Sequence, residues 1–113
     1  MSDAKIILHS ERVGETLVIR LLGNLDVHNT HTIEKDLIAT VGTATHAIIY
    51  NLSDVNFISS AGLRLLVTTL RTSQDRKISI SICGLRPAVE KVFDVVGMQQ
   101  LFTIYPDINS ALA

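Results

Sequence analysis

Residues 51–64, Asn-Leu-Ser-Asp-Val-Asn-Phe-Ile-Ser-Ser-Ala-Gly-Leu-Arg, tie the end of an apolar strand to the start of a helix. The strand side is the run Ala47-Ile48-Ile49-Tyr50; the helix side places Leu63, Leu66, Val67 and Leu70 at i, i+3, i+4 and i+7. A buried strand followed by a helix with one apolar stripe calls for helices layered on a sheet. The same pattern predicts Ser60 at the helix N-cap, its hydroxyl facing the unpaired N–H groups of the first turn. A hydroxyl there can close the helix end, or it can accept a phosphate that the helix terminus favours electrostatically.

The rest of the chain repeats this alternation. Residues 4–10 and 15–22 read as two strands joined by a turn over residues 11–14. Ile33, Leu37, Ile38 and Val41 make a helical stripe over residues 28–41, stopped by Gly42. Residues 46–52 form the next strand, and the helix beginning at Ser60 runs to about residue 72. Ile78-Ser79-Ile80-Ser81-Ile82 alternates as a strand with one buried face. Pro87 suits the first position of a helix whose stripe is Val89, Val92, Phe93 and Val96, with Gly97 as its stop. A short strand over residues 101–105 follows, and Asp107 can cap a last helical turn running to Ala113. The order β-β-α-β-α-β-α-β-α predicts an α/β fold: an open mixed sheet of about five strands and four helices, mostly parallel after the opening hairpin. Residues 1–113 read as one module without repeat or linker.

Composition narrows the function classes. At 113 residues and 47% apolar, with 4% aromatic residues and no Trp, the chain can build one aliphatic core. A net charge of −1 argues against a disordered chain and against direct nucleic-acid binding. The charge is uneven: residues 60–91 carry six basic and two acidic residues, net +4, while the remainder carries four basic and nine acidic, net −5. That asymmetry can orient a partner or simply be a solvated surface. Cys83, the single cysteine, sits in an apolar run and reads as a buried inert thiol. No segment is apolar enough for membrane insertion, and residues 1–5 do not resemble a secretory leader, so a reduced cytoplasmic setting is expected.

Catalysis finds no purchase. Ile58 stands where a nucleophile elbow around Ser60 needs Gly, and no His follows Ser60 in the chain. Phosphate-binding glycine loops, Cys-x-x-Cys and His-Glu-x-x-His are all missing. His28 and His31 are spaced i, i+3, but no Cys or carboxylate completes a metal set, so they read as surface residues. The chain is expected not to be an enzyme and to carry no cofactor; without a glycine-rich cradle, nucleotide or small-molecule binding is not expected either.

Several residues bear both a structural and a functional reading. Asp26 follows an apolar strand at the edge where open α/β sheets present their sites, and it can equally cap the helix after it. Gly62 permits close approach of a backbone or partner, or only packs. Arg64 and Arg71, seven apart, share a helix face that is either solvated or a basic rim for an acidic partner. Asn51 and Ser53 are placed to hold the loop backbone.

Phe57-Ile58-Ser59-Ser60-Ala61-Gly62-Leu63-Arg64, after a strand ending Asn51-Leu52-Ser53, resembles the signature of STAS domains, the family of the anti-sigma-factor antagonists. Gly23-Asn24-Leu25-Asp26 is similar to that family's Gly-x-Leu-Asp turn, and residues 84–98 are similar to its third helix. The resemblance spans about residues 5–110 in order. It implies a STAS fold and a bacterial antagonist, in stress response or a related transcription switch, that acts by partner switching. The unphosphorylated antagonist binds an anti-sigma factor that is also a serine kinase; phosphorylation ends the complex and a serine phosphatase restores it. The acceptor implied is Ser60, or less well Ser59, and the partner surface is Asp26, Ser59, Ser60, Gly62 and Arg64. Four positions depart from the familiar pattern: Ser59 stands where Asp is usual, Ala61 replaces a small polar residue, Asn24 replaces a frequent Glu, and Asn51 sits where Asp is frequent. The alternative is a non-switching STAS subunit of a transporter or stress-sensing scaffold, in which Ser60 only caps its helix.

Overall fold

The computed structural model describes residues 5–113. Its elements are β1 (Ile7–Val13), β2 (Thr16–Leu22), α1 (Val27–Val41), β3 (Ala47–Asp54), α2 (Ser60–Asp75), β4 (Ser79–Cys83), α3 (Pro87–Val96), a 3-10 turn (Met98–Gln100), β5 (Thr103–Tyr105) and α4 (Ile108–Leu112). The expected order of strands and helices holds. The strands lie side by side in the order β1-β2-β3-β4-β5, with β1 antiparallel to β2 and every later neighbour parallel.

Register sets the two faces. Leu17, Ile48 and Ile80 stand in one row across the sheet, and Ile19, Tyr50 and Ile82 in the next; all are buried. They join Ile33 and Leu37 of α1, Leu66 and Leu70 of α2, and Val89 and Phe93 of α3 in one core. Within it, the Tyr50 hydroxyl lies 2.7 Å from Thr69 Oγ1, which itself donates to Leu66 O. The threonine proton is thus committed, so Tyr50 donates; burial holds its phenol protonated well above the usual range. On the opposite face, α4 packs against β4 and β5, and Ile108 borders a groove with Val18, Arg20 and Asn51. Cys83 is fully buried, and burial together with the Asp107 charge pushes its thiol up to about 11, as an inert cysteine requires.

Four local expectations are corrected. The first strand starts at Ile7, and Ala4 lies outside the described residues. Its connection to β2 is the pair Gly14-Glu15, so residues 11–13 belong to the strand; Gly14, at φ 62°, supplies the left-handed first position of a two-residue hairpin. The last strand is only Thr103–Tyr105, because the amides of Leu101 and Phe102 both donate to Met98 O and close the 3-10 turn instead of joining the sheet. Val96 is 54% exposed, since α3 ends there and Gly97 turns the chain away at φ 76°; Val89 and Phe93 alone of that stripe are fully buried.

Candidate functional site

The parallel pairing of β2 with β3 continues beyond both strands. Gly23 N donates to Asp54 O at 3.1 Å, Leu25 N to Phe57 O at 2.9 Å, and Ser59 N to Leu25 O at 2.8 Å. Leu25 and Ile58 form an isolated parallel bridge, and both side chains are buried. The two loops thus leave the sheet zipped together and deliver the first residues of α1 and α2 to one edge. Two helix N-termini, each the positive end of a helix dipole, converge there.

Each terminus is closed by a side chain. Asp26 caps α1, its Oδ1 accepting from Asn29 N at 2.7 Å. Ser59, not Ser60, caps α2: its Oγ accepts from Gly62 N at 3.2 Å and donates to Leu25 O at 2.8 Å. This corrects the sequence expectation by one residue. The cap position is fixed by the ladder between Leu25 and Ser59, a tertiary feature that helical periodicity does not carry. Ser60 consequently becomes the first residue of the helix, exposed, and its hydroxyl has no hydrogen-bond partner among the described residues.

Gly62 is buried, and the reason is steric. A Cβ built there would lie 2.9 Å from Ile58 Cγ1 and 3.0 Å from both Leu25 Cβ and Leu25 O. The backbone it admits is the chain's own, so Gly62 seats α2 against the zipped loops. Arg64 is exposed and lines a groove of about 220 Å³ between α1 and α2, with Val27, His31, Glu34 and Thr68 among the other walls. His28 borders a different groove, beside Leu8 of β1, so the two histidines open onto different surfaces. Behind the loop, Asn51 Oδ1 accepts from Ser53 N at 3.1 Å and Ser53 Oγ at 2.8 Å, and Arg86 Nε donates to Ser53 O at 2.8 Å. Asn51 and Ser53 therefore brace the strand end as expected.

Sequence reasoning missed the apolar rim. Phe57 and Val27 are 51% and 67% exposed, one on each loop-to-helix junction. A signal was present: Val55 and Ile58 are both drawn into the core, which leaves the aromatic ring between them facing out. Among the described residues the edge thus offers one free hydroxyl, two apolar side chains and a cation.

The family model for the STAS domain matches residues 8–111. The chain belongs to the STAS domain family. Over 106 residues it is 26% identical to the putative anti-sigma factor antagonist BtrV of Bordetella bronchiseptica, covering 94% of this chain and 91% of that protein. Over 86 residues it is 28% identical to the anti-sigma-B factor antagonist of Staphylococcus epidermidis, covering 76% and 80%. Among solved structures, it resembles the anti-sigma factor antagonist SpoIIAA in its unphosphorylated form, with a TM-score of 0.76 at 26% identity over 94% of this chain and 93% of that one. The phosphorylated form of SpoIIAA from Bacillus matches with a TM-score of 0.69, covering 94% and 96%.

Proposed function

We propose that this STAS chain is an anti-sigma-factor antagonist that works by partner switching, with Ser60 as its phosphate acceptor. The observation that carries the reading is the contrast between adjacent hydroxyls. Ser59 is committed to Leu25 O and Gly62 N, whereas Ser60 is exposed, unbonded and at a helix N-terminus. Phosphorylation would add about −1.5 to −2 charges at neutral pH. On Ser60 that charge breaks no contact of the fold, and the helix end offsets part of it. On a surface that meets a partner, the same dianion demands desolvation and repels acidic groups. A mark that spares the scaffold and spoils the interface is what a switch needs.

In this reading the unmodified chain binds an anti-sigma factor with serine-kinase activity through Asp26, Ser60, Arg64 and the exposed Phe57 and Val27. Ser59 and Gly62 contribute by holding the surface in place. The kinase modifies Ser60 and releases the chain; a serine phosphatase resets it. The relatives that are anti-sigma factor antagonists, and a neighbour solved in phosphorylated and unphosphorylated forms, support this assignment. No helix among the described residues is long and apolar enough to cross a membrane.

Affinity capture from source-cell lysate tests it, with wild type, Ser60→Ala and Ser60→Asp as baits and mass spectrometry of bait and prey. Wild type and Ser60→Ala are expected to retain a serine-kinase-like protein that Ser60→Asp loses, with phosphate on Ser60 of the wild type alone. Retention of one permease or scaffold by all three baits, without phosphate, would sink the switch in favour of a non-switching STAS subunit.

A further inference from the structure

The chain has six arginines, at positions 12, 20, 64, 71, 76 and 86. Four are engaged: Arg20 with Asp54, Arg12 with Thr43 O, Arg76 with Ala44 O and Arg86 with Ser53 O. Arg64 and Arg71 have no such partner among the described residues. Of these two, Arg64 stands four residues after Ser60, one helical turn away on the same exposed face of α2. Side chains on an α-helix lean toward its N-terminus, which carries the Arg64 stem back over the turn that Ser60 begins.

We propose that Arg64 is an internal clasp for phosphate on Ser60, its guanidinium forked onto two phosphate oxygens beside the first-turn amides. The proposal rests on Ser60 being the modified residue and names what the chain itself does with the modification. A planar fork with several N–H donors suits a tetrahedral dianion better than a point charge does. Before modification, Arg64 is an available cation on the face that meets the partner. Afterwards it is turned inward and neutralised, so one phosphate both adds an anion to the surface and withdraws a cation from it. The clasp also separates the two adjacent serines. Phosphate on Ser59 would remove the proton that its hydroxyl donates to Leu25 O and crowd the half-buried cap that accepts from Gly62 N, and Arg64, five residues on, lies off that face. The charged groups that α1 brings to this region are Asp26 at the edge and His31 and Glu34 in the groove.

Phosphoserine placed at position 60 by genetically encoded incorporation gives a direct test by ³¹P NMR titration. The second phosphate pKa is about 6 in an open peptide, and a neighbouring cation lowers it by favouring the dianion. Replacing Arg64→Gln is therefore expected to raise that pKa by roughly half a unit or more, with Arg64→Lys falling between. Asp26, His31 and Glu34 are common to all three proteins, so the difference isolates Arg64. A chain carrying phosphoserine at position 59 should show no dependence on residue 64. Equal pKa values in the wild-type and Arg64→Gln phosphoproteins would overturn the clasp. The phosphate is installed during synthesis, so the result does not depend on any kinase. Finding no phosphate on Ser60 of the native protein would instead defeat the switch, and leave the answer about Arg64 standing.

Discussion

The junctions β3–α2 and β4–α3 have the same job, turning a parallel strand into a helix at one edge of the sheet, and they do it with different chemistry. At α2 a polar side chain closes the helix, backbone hydrogen bonds lash the loop to its neighbour, and an exposed hydroxyl follows. At α3 no side chain caps the helix; Pro87 starts it and Arg86 reaches back to Ser53 O. Proline needs no cap partner for its missing N–H, so α3 begins without a side-chain cap and holds on by that one arginine bond and by the buried Val89 and Phe93. Stability at the first junction is spread over hydrogen bonds and one glycine, and at the second it is concentrated in an apolar anchor. The α2 junction presents chemistry; the α3 junction supplies ballast.

Substitutions should pull the two apart. The largest loss is expected from Phe93→Ala, which empties a fully buried site and should cost about 3–5 kcal/mol in chemical denaturation. If α3 is ballast, the proposed phosphorylation of Ser60 should survive in whatever fraction stays folded. Gly62→Val comes next at roughly 1–3 kcal/mol, because the added atoms collide with Ile58 and Leu25. Unlike the change at Phe93, it should also weaken partner capture, since it pushes α2 off the zipped loops.

Those two effects differ in how far the sequence announces them. The helical period identifies Phe93 as core without any structure. Gly62 stays ambiguous in sequence, since its neighbours Leu25 and Ile58 come from loops brought together only by the β2–β3 ladder. The same ladder moved the α2 cap from Ser60 to Ser59. The order of strands and helices along the chain and the Asp107 cap were legible because each follows from local period or turn chemistry, whereas for Asp26 the cap was one of two open readings. The carbonyl partners of Arg76 and Arg86 lie more than thirty residues away in the chain and leave no local trace.

Finer substitutions sharpen the contrast inside the α2 junction itself. Ser59→Ala removes the cap and its tie to Leu25 O, with an expected loss of about 1 kcal/mol in thermal or denaturant unfolding. Ser60→Ala removes an exposed hydroxyl that bonds nothing among the described residues, so stability should stay within about 0.5 kcal/mol of wild type. The adjacent serines would then be separated by measurement: one structural, the other free for regulation. A larger loss at Ser60 than at Ser59 would reverse the assignment.

The ladder that carries strand pairing out into the loops has a further consequence for how fast and how tightly this edge can be used. Because Leu25, Phe57 and Ser59 are already fixed by backbone bonds, a partner meets a surface whose ordering cost was met on folding. Little of the interaction energy is then lost to immobilising loops, and recognition can proceed close to rigid-body docking. An edge set in advance in this way keeps its shape when its surface chemistry changes, so an alteration at an exposed side chain such as Ser60 changes what the edge presents and leaves alone the backbone that presents it.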